Sequence, residues 1–309
     1  MPPNVEARIA QDYDASGNPS DTIWSTAELL ARSAGQDAVM CCNSEQFTPE
    51  VFEALPESVK IVSTFSVGYE HIDIEAAKAR GIVVTNTPDV RTDATADVAM
   101  LCLLGAARRA SEGDRLVRGG GWNNWYTTLM LGVHVTGKRL GIYGMGRIGR
   151  AVAQRGRGFN MEIHYYNRSR LEPELEQGAT YHRDPESLLR VSQFLSINAP
   201  SSPQTRHFFN AERIALLPDG AVVANTARGD LIDDEALIAA LRSGKVAAAG
   251  LDVYDGEPDL HEAYKSLENT VLLPHLGSAT QETRDAMGYC CLDNLDAYFS
   301  GQRCPTALT

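Results

Sequence analysis

Residues 138–167, KRLGIYGMGRIGRAVAQRGRGFNMEIHYYN, constrain this chain more than any other stretch. Residues 139–143 read as a short buried strand. Gly144, Gly146 and Gly149 then spell G-x-G-x-x-G, and helical spacing starts at once with Ile148, Ala151 and Val152. A second strand follows over residues 161–166. Strand, glycine turn, helix and strand together are the context in which this motif signifies dinucleotide binding. Gly144 permits the tight turn. Gly146 has no Cβ, so the backbone can approach a pyrophosphate. Gly149 lets the helix pack closely on the strand. The helix N-terminus offers free N–H groups and a positive dipole end to phosphate.

Glycine turns also arise by chance, and S-adenosylmethionine-dependent methyltransferases use one after a first strand. The motif therefore points to a cofactor fold before it points to any one chemistry. The 309 residues suggest about two domains. No apolar run reaches the ~18 residues of a spanning helix. The first residues, MPPNVEARIAQDYD, lack the basic and apolar segments of a signal peptide. The expected location is the cytoplasm. A net charge of −12 argues against nucleic acid and anionic membrane as partners. An anionic ligand then needs a local cluster of Arg or Lys. The six cysteines show no metal-binding spacing and read as reduced, packed thiols, and no metal site is expected.

Apolar segments alternate with helical ones through most of the chain. Strands are expected at residues 5–10, 38–42, 61–65, 82–85, 194–197, 221–225, 248–251 and 271–273. Residues 11–21 read as a loop. Helices are expected at residues 25–35, 49–55, 74–80, 171–177, 185–192, 233–243 and from Thr280 to about Phe299. Residues 95–110 are apolar on nearly all sides, which suits a helix buried between domains or subunits. The fold class is α/β, with two doubly wound parallel-sheet domains.

Three residues follow apolar strands, where open α/β sheets collect their ligands. Arg228 stands in N-T-A-R-G-D, Glu257 in Y-D-G-E-P and His275 in P-H-L-G-S-A-T. An arginine fork suits a carboxylate. A His paired with a carboxylate is a tunable acid near neutral pH. With a nicotinamide, the three suffice to reduce a 2-oxo acid. Singly, each has a blander reading as a surface ion pair, a turn or a structural His. Their occurrence in one region downstream of a nucleotide motif raises the set above those readings.

The chain resembles the D-2-hydroxyacid dehydrogenase family, most closely its glyoxylate/hydroxypyruvate reductases. The matching stretches are SVGYEHID at 66–73, TDATADVAM at 92–100, GIYGMGRIGR at 141–150, NTARGDLIDDEAL at 225–237, GLDVYDGEP at 250–258 and LLPHLGSAT at 272–280. The resemblance implies a Rossmann cofactor domain, residues 99–282, inserted in a flavodoxin-like substrate domain, residues 1–98 and 283–309. Hinges would lie near Ala99 and Glu282. Arg228 would grip the substrate carboxylate and oxo group. Glu257 would hold His275 and keep its pKa high, and His275 would protonate the carbonyl oxygen while nicotinamide delivers hydride. Backbone N–H groups of Val67 and Gly68 would complete the carboxylate site. Thr95, Thr226, Ala227, Asp252, His275 and Gly277 would meet the nicotinamide half of the cofactor. Met145, Arg147 and Ile148 would join the three glycines, and Ala199, Pro200 and Thr205 would complete the cofactor contacts.

NAD-dependent members place Asp or Glu at the end of the second strand, on the ribose 2′-OH. This chain has Asn167-Arg168-Ser169-Arg170 there. Asn167 does not repel a 2′-phosphate. Arg168 and Ser169 can bind one, with Arg170 behind them. The expected cofactor is NADP(H), with NAD(H) possible. Trp125 aligns with an aromatic that reaches into the partner's active site in similar hydroxypyruvate reductases; packing of a dimer arm by Trp122 and Trp125 is the even alternative. The expected assembly is a homodimer through residues 95–110 and 122–132.

Departures from the family pattern bear on these expectations. Most members have another strand and helix before the part matching Val5. Asn198-Ala199-Pro200 replaces a more usual His/Cys–hydrophobic–Pro pattern. Arg91 stands where a smaller residue is common. Formate dehydrogenases carry Gln in place of Glu257, phosphite dehydrogenases carry Lys in place of Val67, and many phosphoglycerate dehydrogenases have an added C-terminal domain. Two other classes remain beside an NADPH-dependent reductase: an NAD-dependent dehydrogenase of other specificity, and a corepressor-like binding protein that senses nicotinamide.

Overall fold

The structure is a computed structural model that describes every residue except Pro19 and Asp21. Those two positions of the expected loop at residues 11–21 lie outside the described residues. Two compact units emerge, Met1–Arg91 with Ala279–Thr309, and Thr92–Ser278. The breaks fall at 91/92 and 278/279, not at Ala99 and Glu282. Ala99 lies inside a helix that belongs wholly to the larger unit.

The expected strand at residues 5–10 is instead a helix, α1 (Pro3–Asp12). Pro3 starts it, where a missing N–H costs nothing. Val5 and Ile9 are four apart and share one face, a spacing that outweighs the β-branched composition. Helix α2 (Thr26–Arg32) begins with a capping box of Ser25 and Glu28. Then come β1 (Ala38–Cys41), α3 (Pro49–Ala54, capped by Thr48), β2 (Ile61–Thr64), α4 (Ile74–Ala79) and β3 (Val83–Thr85). The strands form a parallel sheet in the order β1-β2-β3.

The larger unit opens with α5 (Thr92–Ala107) and α6 (Ala110–Arg118). Helix α5 packs on the sheet through its buried residues, while Asp93 and Asp97 face outward and bind Arg155. A Cβ on Gly250 would stand 2.6 Å from the Cys102 carbonyl oxygen. Only a glycine strand admits the helix that closely. Arg109, at φ 54°, breaks α5 from α6. The remaining order is β4 (Arg139–Tyr143), α7 (Arg147–Gly158), β5 (Glu162–Tyr166), α8 (Pro173–Glu176), β6 (Thr180–His182), α9 (Pro185–Val191), β7 (Phe194–Ile197), α10 (Ala211–Ala215), β8 (Ala221–Asn225), α11 (Asp234–Ser243), β9 (Val246–Leu251) and β10 (Thr270–Leu272). The seven strands are parallel in the order β10-β9-β8-β7-β4-β5-β6. Strands β7 and β8 are buried at every residue, as central parallel strands covered on both faces must be. The order reverses between β4 and β7. This is the doubly wound arrangement, and its switch point is where such sheets bind ligands. Elements β6 and α10 are too short to show a period, and α6 buries no residue, so none of the three stood out.

The last helix, α12 (Gln281–Phe299), is capped by Thr280 and returns to the smaller unit. There Val62 and Val84 point into a core with α2, α3 and α4, while Ile61 and Val83 point to α1 and α12. Alternation along the strands thus separates two apolar layers, one on each face of the sheet.

Candidate active site

The glycine turn fits a dinucleotide on three counts. Gly144 has φ 96°, and a Cβ there would lie 2.7 Å from the Ala199 nitrogen. The bare glycine lets the β4 turn close against the chain leaving β7, where Asn198 N–H bonds to Tyr143 O at 2.8 Å. A Cβ on Gly149 would meet Gly144 O at 2.2 Å, so the helix packs directly on the turn. Gly146 faces open space, and no side chain caps α7. Room and free N–H groups therefore coincide where a pyrophosphate would sit. Met145 is buried, and its N–H bonds to Asn167 Oδ1 at 3.3 Å. Asn167 thereby joins the end of β5 to the turn. Arg147 and Ile148 open α7.

Arg168 and Ser169 follow β5, both exposed, and Arg168 has no ion-pair partner among the described residues. Arg170 departs from the expectation. Its guanidinium binds Glu176 through two hydrogen bonds of 2.8 and 3.0 Å. Those bonds, then the Tyr165 hydroxyl, hold the Glu176 carboxyl down to about 2. Arg170 is committed to α8 and does not back up Arg168.

At the ends of β7 and β8, Asn198 Oδ1 and Thr226 Oγ1 are buried without a hydrogen-bond partner. Buried polar atoms are normally satisfied, so these two fit a missing ligand. Ala199 and Pro200 continue from Asn198, and Thr205 Oγ1 donates to Pro200 O at 2.9 Å.

Arg228, Glu257 and His275 come together in this unit. His275 Nδ1 lies 2.5 Å from Glu257 Oε1. Glu257 Oε2 accepts the Tyr254 N–H at 3.1 Å, so both carboxylate oxygens are held. Burial alone would raise the Glu257 carboxyl. The hydrogen bond and charge of His275, the Tyr254 N–H and the Arg228 charge outweigh it, and the group stays below its ordinary value. Arg228 is half-buried, and its Nη1 donates to Ala227 O at 2.7 Å.

Three neighbours absent from the expected set fix this group. Buried Asn225 donates from Nδ2 to Arg228 O (2.8 Å) and accepts Ala227 N–H on Oδ1 (3.0 Å). A Cβ on Gly229 would fall 1.8 Å from the Tyr254 carbonyl carbon, so the arginine loop lies flush on the glutamate loop. Tyr254 Oη lies 3.0 Å from both Leu251 O and Leu273 O, tying the glutamate loop to the segment that leads to His275. All three residues stand inside the quoted motifs. Close backbone approach and side-chain-to-backbone bonds have no sequence period that would mark them.

The expected nicotinamide-side residues organise His275. Its φ is 55°, a left-handed conformation that a non-glycine residue adopts only when held. The His275 N–H bonds to Asp252 O at 2.9 Å. The Asp252 carboxylate, raised by burial, accepts the N–H groups of Leu276 (2.6 Å) and Gly277 (2.9 Å). Thr95 Oγ1 donates to Gly277 O at 2.9 Å. Trp125 stands 71 % exposed on the segment after α6, outside this network.

Val67 and Gly68 belong to the smaller unit, just after β2. Every carbonyl of their loop is used. Ser66 O accepts Thr87 N–H at 2.9 Å, Val67 O accepts Asn86 Nδ2 at 2.8 Å, and Gly68 O accepts Ser66 Oγ at 2.6 Å. Among the described residues, nothing accepts the N–H groups of Val67 and Gly68. Filled acceptors beside two free donors leave this loop able to meet an anion.

Comparison with known proteins identifies the family. Residues 100–277 match the family model for the D-isomer specific 2-hydroxyacid dehydrogenase NAD-binding domain. The chain is 45% identical over 303 residues to a glycerate dehydrogenase of Hyphomicrobium methylovorum, covering 97% of this chain and 94% of that one. It is 45% identical over 311 residues to a glyoxylate reductase of Pyrococcus furiosus, covering 99% and 92%. A solved NADPH-dependent glyoxylate/hydroxypyruvate reductase from Sinorhizobium meliloti, in complex with NADP and malonate, superposes with a TM-score of 0.85 at 33% identity over 99% and 93% of the two chains.

Proposed function

The chain belongs to the D-isomer specific 2-hydroxyacid dehydrogenases and is an oxidoreductase that uses a nicotinamide cofactor; from that premise we propose that it reduces glyoxylate and hydroxypyruvate with NADPH. The observation that carries the reading is the hydrogen-bonded His275–Glu257 pair beside Arg228, in the same unit as an uncapped glycine turn. The names of the relatives support both substrates, since glycerate is the reduced form of hydroxypyruvate.

Gly144, Gly146, Gly149 and the first turn of α7 would hold the cofactor pyrophosphate, with Met145, Arg147 and Ile148 in that turn. Thr226, Ala227 and Asn198 would meet the nicotinamide half. When bound, the nicotinamide supplies hydride to the carbonyl carbon. Arg228 would hold the substrate carboxylate in two hydrogen bonds and align the carbonyl, and the Val67 and Gly68 N–H groups are the carboxylate donors that the smaller unit would offer. Glu257 keeps the Nδ1 proton on His275, so that Nε2 presents the other proton to the carbonyl oxygen. As the C–H bond forms, the carbonyl electron pair takes that proton, and His275 is left neutral. Asp252 and Thr95 hold the His275 loop in register.

NADPH is favoured over NADH by the absence of an acid at Asn167 and by the free charge of Arg168, with Ser169 as a second donor. The protein acts as a homodimer. Leu101, Trp122, Trp125, Tyr126 and Leu131 are exposed on the larger unit, an apolar surface suited to a second copy. Trp125 would then stand near the partner's substrate. All six cysteines are free thiols, in keeping with a cytoplasmic enzyme. Among the described residues, no helix is long and apolar enough to cross a membrane.

The test is steady-state kinetics with glyoxylate, hydroxypyruvate and larger 2-oxo acids, each with NADPH and NADH. The expected kcat/KM is highest for the two small acids with NADPH. A higher value with NADH overturns the cofactor assignment, and no turnover of any 2-oxo acid overturns the reaction.

A further inference from the structure

The loop at Ser66–Gly68 does not stand alone. It is tethered to another segment by Asn86, whose Nδ2 holds Val67 O at 2.8 Å. Asn86 is in turn held from behind. Its carbonyl accepts the Thr306 hydroxyl at 2.6 Å. Thr306 is clamped by Asn294 of α12, which is fully buried. Asn294 Nδ2 donates to Thr306 Oγ1 at 2.8 Å, and Asn294 Oδ1 accepts the Thr306 N–H at 3.0 Å. The second Nδ2 hydrogen goes to Cys290 O at 2.7 Å. The amide is thus satisfied at three points, and a fully satisfied buried network fixes one geometry. Beyond Thr306 the chain lies along β3: Leu308 N–H bonds to Val84 O at 2.8 Å, and Val84 N–H to Thr309 Oγ1 at 3.1 Å.

We infer that Thr306 and Asn294 are positioning residues for the substrate carboxylate, acting through Asn86 to aim the free N–H groups of Val67 and Gly68. This rests on the reading of that loop as the carboxylate site. The chain of contacts runs from the C-terminal segment to the loop entirely within the smaller unit. None of its members belongs to the glycine turn or to the His275 network. The cost of breaking it should therefore appear in substrate affinity and leave cofactor affinity alone. The Thr306 hydroxyl makes two of these bonds, but only the one to Asn86 O lies on the path to the loop; losing that one corresponds to roughly a 3- to 10-fold effect on binding.

The experiment compares Thr306→Val, which keeps the shape and removes the hydroxyl, with Thr306→Ser, which keeps the hydroxyl. In the full-length protein, Thr306→Val is expected to raise KM for glyoxylate about 3- to 10-fold. It should leave kcat within about two-fold and the NADPH dissociation constant unchanged. Thr306→Ser should restore KM. An unchanged KM in Thr306→Val, or an equal loss of NADPH affinity, overturns the inference. Should the wild-type protein reduce no 2-oxo acid, the function reading has failed and the inference is read by binding alone. Oxalate would then slow amide hydrogen exchange at residues 66–68 in the wild type and not in Thr306→Val. Equal protection in both would overturn it.

Discussion

Glu257→Gln isolates one charge in the proposed proton-donating pair. The wild-type carboxylate has both oxygens engaged, Oε1 with His275 Nδ1 at 2.5 Å and Oε2 with the Tyr254 N–H at 3.1 Å. A glutamine in the same place has one acceptor and one donor end. If its oxygen serves His275, its NH2 faces the Tyr254 N–H. If its oxygen serves Tyr254, its NH2 faces Nδ1, which must then give up its proton. The first arrangement sets donor against donor, the second leaves Nδ1 without its proton, and in both the negative charge beside His275 is gone. A hydrogen bond to a charged group contributes about 1.5–3 kcal/mol, which corresponds to roughly 10- to 150-fold in rate at 1.36 kcal/mol per decade. The pH of the assay matters. Because Glu257 is held below its ordinary value, its carboxylate is charged at neutral pH, and its contribution is lost only as pH falls through that depressed value. At neutral pH, kcat with saturating glyoxylate and NADPH should therefore fall by one to two decades. NADPH affinity, measured by fluorescence titration, should hold, since Glu257 is not part of the glycine turn. A kcat within two-fold of wild type, in a folded variant, would refute the role given to the pair.

Other consequences are as direct. Arg168→Asp should move the kcat/KM ratio toward NADH by about ten-fold or more, from loss of a charge-assisted bond and gain of repulsion; Arg170→Ala should leave the ratio near wild type, and a larger shift there would overturn the division of labour between the two arginines. Gly229→Ala should abolish activity and lower Tm by several degrees, because its Cβ would overlap the Tyr254 backbone; retained turnover would show that the two loops part easily. His164 and His182 lie 3.1 Å apart on β5 and β6, each held below its ordinary value first by burial. Their folded values are depressed, so the stability they contribute is present above the usual His range and lost as pH falls through the folded values. Melting curves should show acid destabilisation below about pH 6.5, up to about 1.4 kcal/mol per pH unit per proton taken up, and His182→Gln should flatten it.

Much of this fold was legible because parallel strands buried on both faces leave continuous apolar runs. Residues 194–197 and 221–225 match β7 and β8 residue for residue. The glycine turn was legible for the same reason: it joins a buried strand to a helix without a gap. Residues 5–10 misled because Val5, Ile9 and the intervening polar residues satisfy both a short strand and one face of a helix. Pro3 and a partner helix nearly 280 residues later decided between them. The triad residues were visible as chemistry after strands. What holds them was not, because Asn225, Gly229, Tyr254 and Asp252 act through backbone atoms whose proximity is set by strand order.

The two arginines after β5 show why the site needs the fold as well as the motif. In the sequence, Arg168 and Arg170 are equivalent cations beside an asparagine. In the structure, Glu176 lies six residues on, at the end of a four-residue helix, and binds Arg170 through Nε and Nη2. The Tyr165 hydroxyl binds the same carboxylate and also receives the Leu171 N–H at 3.0 Å, so the segment after β5 is pinned to the strand before it. The ion pair therefore does structural work, and it frees neither partner for a ligand. Arg168 is left on a segment fixed at both ends, by Asn167 to the glycine turn and by Arg170 to α8. A cation on a fixed loop gives up less conformational entropy on binding phosphate than one on a mobile loop. On the proposed reading, discrimination for the 2′-phosphate therefore rests on Arg168, while Arg170 serves the fold around it.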